Sequence, residues 1–286
     1  MSAPIVTTRA LTRRYGTAMA IDHVDLDIRA GSIVGLIGPN GSGKTTLLKA
    51  LLGLVDCEGG LEVLGLDPRT QRDALMQEVC FMADVAVLPR WISVAQAVEF
   101  VAGVHPRFDR AKCESFLAQT RLEPKMKVRQ MSKGMIVQLH LALVMSIDAR
   151  LLVLDEPTLG LDILYRKQFY RNLVERYFDE TRTIIVATHQ VEEVEHLVTH
   201  LVFMRDGKTV LLATMDELAD RYVEVAVPGD RLEAARALAP LDERTLFGKT
   251  VFMFDSPTRE RLSDLGELRT PSLADLFIAT MKGTRP

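Results

Sequence analysis

The chain has 286 residues, enough for one large or two smaller domains, and it contains no apolar run of about 18 residues that could cross a membrane. Its 35 lysine and arginine residues nearly balance 38 aspartate and glutamate residues, so the net charge is −3 and electrostatics give no reason to expect a nucleic-acid-binding protein. The N-terminus lacks the charged and apolar regions of a signal peptide, and we expect the protein to be cytoplasmic.

Two segments near the start of the chain alternate between apolar and polar residues. Residues 5–13 and 21–28 both show this pattern. Alternation predicts strands with one face on the core and one in solvent, and we expect these two to pair antiparallel. The apolar residues 33–37 predict a buried strand, and residues 61–64 predict a further short one.

A glycine-rich loop follows the predicted buried strand directly. Residues 38–45 read Gly-Pro-Asn-Gly-Ser-Gly-Lys-Thr and precede an apolar helical stretch. This order is typical of a phosphate-binding loop, because glycines let successive backbone N–H groups point at phosphate oxygens. The Lys44 ammonium would reach the β- and γ-phosphates, and the Thr45 hydroxyl would hold Mg²⁺. The residues predicted to bind a nucleoside triphosphate are Gly38, Pro39, Asn40, Gly41, Ser42, Gly43, Lys44, Thr45 and Thr46.

The periodicity becomes helical from about residue 85 to residue 146, where apolar residues recur at helical spacing. Two buried strands follow at 151–154 and 183–187, separated by another helical stretch. Buried strands that alternate with helices predict a parallel sheet covered on both faces. A predicted hairpin at 201–212 closes this part of the chain.

The last segment has a different organisation. Its predicted elements are strands at 222–227 and 250–254 and helices at 231–238 and 273–281. It contains no motif that would carry chemistry. We therefore divide the chain into a domain at 1–218 and a small accessory, regulatory or dimerisation domain at 219–286.

Two carboxylates and a histidine follow the predicted parallel strands. Asp155 and Glu156 come directly after residues 151–154, and His189 comes just after residues 183–187. Because the carboxyl ends of parallel strands meet at one edge of a sheet, we expect these side chains beside the phosphate loop. Asp155 would lie near Mg²⁺, Glu156 would act as general base on the attacking water, and His189 would hold the γ-phosphate.

Taken together, these motifs resemble the ATP-binding subunit of an ABC transporter over residues 5 to about 215. Residues 158–162 resemble the family's D-loop, and Tyr15 stands where an aromatic residue stacks on adenine. Residues 131–135, Met-Ser-Lys-Gly-Met, resemble the signature segment L-S-G-G-Q. The resemblance implies an α/β fold of the P-loop NTPase type. Its mixed sheet would have a parallel core and N-terminal antiparallel strands, with an α-helical subdomain inserted at about 85–146 and a small C-terminal α+β unit.

The resemblance also implies ligands and partners, namely ATP, Mg²⁺, a second ATPase subunit and a separate membrane-spanning subunit. In the family, two subunits pack head to tail and each signature segment completes the ATP site of the other. Ser132, Gly134 and Asp162 would then contact ATP held by a second subunit, and a homodimer is favoured. The protein would lie on the cytoplasmic face of the inner membrane, and no nucleic-acid partner is expected.

Several residues depart from the family pattern. Asp84 replaces a glutamine, and a carboxylate there can approach Mg²⁺, so tight ATP binding should need the metal. Lys133 and Met135 replace a glycine and a glutamine of the signature segment. Lys133 adds a cation near phosphate, and the alternative is a half-site that hydrolyses slowly. Trp91 either receives the membrane subunit or is buried within the helical subdomain.

Three functions fit these motifs. The first is an ATPase subunit that powers export through a separate membrane subunit, because residues 271–277 resemble the end of ATPases of small two-component exporters. The second is a soluble ABC-type ATPase with a regulatory or nucleic-acid-related role. The third is a regulator that binds ATP without hydrolysing it. Glu156 and His189 favour an active enzyme, and one cassette without coiled-coil heptads favours transport.

Overall fold

A computed structural model describes residues 4–83, 88–246, 248–256 and 259–282 of the chain. The strands are β1 (Pro4–Tyr15), β2 (Ala18–Arg29), β3 (Ile33–Ile37), β4 (Glu58–Val63), β5 (Val79–Met82), β6 (Leu151–Asp155), β7 (Thr183–Thr188), β8 (His200–Arg205), β9 (Lys208–Thr214), β10 (Tyr222–Val227), β11 (Asp242–Leu246), β12 (Lys249–Asp255) and β13 (Glu267–Arg269). The helices are α1 (Lys44–Leu51), α2 (Arg72–Leu75), α3 (Val94–Val104), α4 (Arg110–Leu117), α5 (Lys133–Val144), α6 (Ile163–Asn172), α7 (Val191–Val194), α8 (Met215–Arg221), α9 (Leu232–Arg236), α10 (Arg259–Ser263) and α11 (Leu273–Lys282). A π-helical turn, Leu173–Tyr177, continues α6.

A six-stranded sheet lies at the centre, in the order β5-β6-β7-β3-β8-β9. Its neighbours pair in parallel except at the β8–β9 hairpin. Every residue of β3, β6 and β7 is buried, as expected for strands covered on both faces. Ile37 pairs with Thr188 and Asp155 pairs with Ala187, so these three strands end at the same edge. The phosphate loop, Glu156 and His189 therefore meet there.

The N-terminal strands form a second sheet in the order β2-β1-β4, and β1 pairs antiparallel with both neighbours. This confirms the pairing predicted from the alternation. Apolar residues of β1 and β2 pack with α1 and one face of the central sheet in a single cluster. This second sheet therefore covers the face of the central sheet on which α1 packs.

Helices α3, α4 and α5 occupy the stretch where helical periodicity predicts an insert. A serine capping box begins α3, and Asp109 caps α4 by accepting from the Lys112 N–H at 2.9 Å. Val94 and Ala97 are buried, whereas Trp91 is 66% exposed. The exposed indole excludes the alternative in which Trp91 is buried within the helical subdomain.

The last part of the chain contributes to two apolar clusters. The antiparallel sheet β11-β12-β10-β13 packs on α9 and α10 around a cluster of its own. Helix α11 packs instead on the central sheet, where the Phe277 and Phe203 rings meet edge to face at 5.1 Å. Arg205 also donates to the Met281 carbonyl oxygen at 2.8 Å. The helix predicted at 231–238 is shorter, and the charged strands β11 and β13 escaped prediction because they lack apolar alternation.

The architecture confirms the predicted α/β fold, with its parallel core, antiparallel N-terminal strands and helical insert. In the part of the chain that the structure describes, no helix is both long and apolar enough to span a bilayer.

Candidate functional site

The phosphate loop has a backbone shape that only glycine allows at key positions. Gly41 and Gly43 have φ angles of 82° and 102°, where a side chain is strained. A Cβ atom on Gly43 would lie 2.3 Å from the Ala20 carbonyl oxygen, and one on Gly38 would lie 2.5 Å from that of Met204. The loop is therefore packed against β2 and β8 without room for side chains at these points.

Lys44 begins α1 and is nearly buried, with 6% of its surface exposed. Its Nζ donates to the carbonyl oxygens of Gly38 at 2.7 Å and Pro39 at 3.3 Å, and lies 4.0 Å from Glu156 Oε1. Burial lowers the pKa of the Lys44 ammonium, and the nearby carboxylates of Glu156 and Asp155 oppose that shift. The loop thus holds the Lys44 ammonium at its opening, where the positive charge would attract phosphate oxygens.

Glu156 is held in place by the end of β7. Its backbone adopts a φ of 47° and its N–H donates to the Ala187 carbonyl oxygen at 2.9 Å. Oε1 lies 2.8 Å from His189 Nδ1, and Oε2 accepts from the Thr188 hydroxyl at 3.2 Å. The carboxylate, only 12% exposed, is thereby fixed between Lys44 and His189. This is the arrangement that a general base for an attacking water needs.

Thr188 is a site residue that the sequence reasoning missed. It is 1% exposed, and its hydroxyl oxygen also accepts from the Gln190 N–H at 3.0 Å. The only signal in the sequence was a hydroxyl residue directly before His189, at the end of a buried strand. Its contact with Glu156 depends on the pairing of β6 with β7, which local sequence does not encode.

Lys44 and Glu156 open into one groove. It is lined by Ala20, Asn40, Gly41, Ser42, Gly43, Lys44, Thr45, Thr46 and Glu156. The Ser42 hydroxyl is buried there without a hydrogen-bond partner among the described residues. Because buried polar groups are normally paired, this hydroxyl fits a ligand oxygen such as that of a phosphate.

A metal site at this edge would use few protein ligands. Asp155 ends β6 at 1% exposure, and Thr45 lines the groove. Asp84, the third predicted ligand, lies outside the described residues. Within the described ranges, no group of three histidine, cysteine, aspartate or glutamate side chains could hold a metal by itself. The Asp155 carboxylate and the Thr45 hydroxyl are oxygen ligands of the kind that Mg²⁺ takes.

Tyr15 lies at the end of β1, where it pairs with Ala18 of β2. Ala20, further along β2, lines the phosphate groove. The Tyr15 ring is 47% exposed, and the Arg13 guanidinium stands 4.6 Å from its centroid. An exposed ring near the groove can stack on a base.

The predicted signature segment lies elsewhere on the molecule. Ser132 caps α5, and its hydroxyl accepts from the Met135 N–H at 3.2 Å. Asp162 caps α6 by accepting from the N–H groups of Leu164 and Tyr165. Both belong to a second groove, which is lined by Arg121, Ser132, Lys133, Gly134, Met135, Gln138, Gly160, Leu161, Asp162 and Tyr165. The two grooves share no lining residue. The chain thus separates two sets of residues that were both predicted to bind ATP.

A central parallel sheet with a glycine-rich loop between β3 and α1, and with a carboxylate pair at the end of β6, defines a P-loop nucleotide-binding protein. Comparisons with known proteins narrow this class. A family model described as "ABC transporter" matches residues 21–159. Because relatives that are 32% and 31% identical match nearly the whole chain, the chain belongs to this family, and it is an ATP-binding subunit of an ABC transporter.

Relatives match the chain over most of its length. It is 32% identical to the Nod factor export ATP-binding protein I of Cupriavidus metallidurans, with 96% of each chain covered. It is 31% identical to the daunorubicin resistance ATP-binding protein DrrA3 of Streptomyces coeruleorubidus, covering 97% of this chain and 96% of the relative. A solved ATP-binding subunit of an ABC transporter has the same fold, with a TM-score of 0.66 at 22% identity over 75% of this chain and 91% of that one.

Proposed function

We propose that this protein hydrolyses ATP as a head-to-tail dimer and powers export through a separate membrane-spanning partner. The protein would lie at the cytoplasmic face of the inner membrane through that partner. The observation that carries the proposal is the separation of the two grooves, because each groove holds half of the residues that an ATP site of this family needs. A second copy turned end to end brings the two halves together.

Within the phosphate groove, each residue has a role that its position supports. Lys44 neutralises charge on the β- and γ-phosphates, and Thr45 and Asp155 would hold Mg²⁺, which would supply further positive charge to the phosphates. Glu156 accepts the proton of the attacking water, and His189 orients that carboxylate and contacts the γ-phosphate. Tyr15 stacks on adenine.

The share of this chain that its relatives match supports a role in export. Two relatives that are named for export or drug resistance match 96% and 97% of this chain, so their similarity extends into the region after residue 218. A relative named for sulfate/thiosulfate import, from Chlorella vulgaris, is 30% identical but matches 73% of this chain. The alternative is a soluble, non-transport ATPase, and it is tested by whether a membrane-spanning partner purifies with the protein.

Turnover is tested with Glu156→Gln. This change keeps the shape of the side chain and removes the base, so phosphate release should fall by about a thousandfold while ATP still binds. ATP should then hold the variant as a dimer in size-exclusion chromatography with light scattering. Hydrolysis at the wild-type rate would exclude Glu156 as the base.

Head-to-tail pairing is tested by mixing two inactive variants. Lys44→Ala damages the phosphate groove, and Gly134→Asp places a carboxylate in the signature groove. A Cβ at Gly134 meets nothing closer than 3.6 Å, so the second change should fold. A mixed dimer has one site with both defects and one intact site, and activity should reappear on mixing. Without any recovery, the two grooves do not belong to one shared ATP site.

The partner is tested by purifying the tagged protein from detergent-solubilised membranes and identifying proteins that accompany it. A membrane-spanning protein that stimulates ATP turnover supports transport. Recovery of the active protein only from the soluble fraction, without such a partner, supports the non-transport alternative.

A further inference from the structure

Arg166 and Glu193 join two helices, and neither side chain lines the phosphate groove. Arg166 lies in α6, just after the D-loop (residues 158–162), and Glu193 lies in α7, just after His189. The two side chains form an ion pair and are 28% and 12% exposed. Arg166 Nη1 also donates to Gln190 Oε1 at 2.6 Å. The pair therefore fixes the segment that carries His189 to α6.

The same pair binds both ends of the D-loop. Arg166 Nε donates to the Leu161 carbonyl oxygen at 2.9 Å. Glu193 Oε2 accepts from the hydroxyl of Thr158, a residue that is only 3% exposed, at 2.5 Å. The guanidinium and the carboxylate each use separate atoms for these contacts, so the loop and the ion pair form one connected network.

From Gln190 the network reaches the general base. The Gln190 N–H donates to Thr188 Oγ1 at 3.0 Å, and the Thr188 hydroxyl donates to Glu156 Oε2 at 3.2 Å. Hydrogen bonds that are joined through the side chain and backbone of Gln190 thus link the D-loop, which lines the signature groove, to the carboxylate in the phosphate groove.

We propose that Arg166 and Glu193 are positioning residues that set the geometry of His189 and Glu156 according to the position of the D-loop. A second copy that contacts the D-loop would then change the geometry of the Glu156 carboxylate in the chain to which that D-loop belongs. This inference rests on the proposed function, because it concerns the rate of ATP hydrolysis. Neither side chain lines the phosphate groove, so ATP binding itself should not depend on them.

The experiment compares Arg166→Met, Arg166→Lys, Glu193→Gln and the double variant Arg166→Met/Glu193→Gln. Each single change should lower kcat by about tenfold to a hundredfold, because a small displacement of catalytic groups is costly. KM and the ATP dissociation constant should stay within about twofold of wild type. Lysine should not rescue, because one ammonium cannot reach Leu161, Gln190 and Glu193 together. The double variant should lose no more kcat than whichever single variant loses more, because both residues act through one network.

A matched control separates positioning from stability. Arg107 and Glu78 form a two-bond ion pair at the start of β5, at the opposite edge of the sheet, with 39% and 25% exposure. Arg107→Met should lower the melting temperature by a similar amount and leave kcat unchanged. Should Arg166→Met fail to fold, Thr158→Val removes the hydroxyl contacts to Glu193 and Tyr170 and should still lower kcat by about threefold.

The outcomes are distinguishable. Folded Arg166→Met and Glu193→Gln proteins with wild-type kcat would overturn the inference alone, provided that wild type hydrolyses ATP and Glu156→Gln does not. Equal loss of kcat in Arg107→Met would also overturn it. No turnover by wild type, even with the membrane partner, would overturn the proposed function and this inference with it.

Discussion

The two grooves of this molecule differ in how much of their chemistry is satisfied within one chain. In the phosphate groove, Lys44 is buried and Glu156 is held by hydrogen bonds from Thr188 and His189. In the signature groove, Ser132 and Lys133 are exposed, and the two residues that follow Asp162 are the apolar Ile163 and Leu164, 68% and 76% exposed.

The difference shows which groove is organised by contacts within this chain. A buried ammonium and a fixed carboxylate are costly to arrange, and residues of the chain itself hold both in the phosphate groove. The exposed serine cap and its apolar neighbours are instead typical of a surface that gains its contacts on association. Variants that affect only one groove can therefore test whether binding belongs to the first and subunit pairing to the second.

The largest expected effect on ATP binding comes from Gly43→Ala in the phosphate loop. A Cβ there would lie 2.3 Å from the Ala20 carbonyl oxygen, and the backbone φ of 102° is strained for alanine. The loop must shift, and we expect ATP affinity to fall by about a hundredfold, equivalent to ~3 kcal/mol. Isothermal titration calorimetry with Mg²⁺-ATP measures this.

The control is Gly103→Ala in α3, where a Cβ atom meets nothing within 4 Å and the backbone is helical. This variant should bind ATP like wild type and should be slightly more stable, because alanine favours helix. Equal affinities for Gly43→Ala and wild type would show that the loop's shape is not needed for the ligand.

The residues that the sequence identified share one property, which is that local pattern determines their position. The glycines at 38–43 follow a buried strand, and Asp155 and Glu156 end another, so strand order alone brings them to one edge. Ser132 was identified from the short segment 131–135, and the structure shows that its hydroxyl caps α5 by accepting from the Met135 N–H.

The residues that the sequence did not identify depend on packing between elements far apart in the chain. Thr188 contacts Glu156 only because β7 lies beside β6, and Arg166 meets Glu193 only because α6 packs on α7. Helix α11 was predicted from its amphipathic pattern, but no pattern shows that Phe277 packs on Phe203. The boundary at residue 218 stays a prediction.

An intermediate effect is expected from Ser132→Ala in the signature groove. Loss of the cap should cost about 1 kcal/mol of stability. If Ser132 also contacts ATP of a second copy, kcat should fall by about tenfold at saturating ATP, while the affinity of the isolated protomer stays unchanged. Steady-state phosphate release and calorimetry measure the two quantities.

Ser93→Ala is the matched control, because Ser93 caps α3 in the same way and accepts from the Gln96 N–H at 3.3 Å. It should lose similar stability without loss of turnover. If the Ser93 and Ser132 variants have equal kcat, Ser132 acts only as a helix cap.

The smallest expected effect concerns acid stability, and it again distinguishes the two regions. Burial lowers the pKa of Lys44, but Glu156 and Asp155 oppose it. His140, in the signature helix α5, has its Nε2 buried without a partner among the described residues, and burial lowers its pKa to about 4. The unfolded chain therefore takes up a proton first as the pH falls below about 6.5, and stability is lost progressively down to the folded pKa.

Between pH 7 and pH 5.5 the wild type should lose about 1 kcal/mol more unfolding free energy in urea than His140→Leu does. Identical losses in wild type and His140→Leu would place the acid sensitivity outside α5.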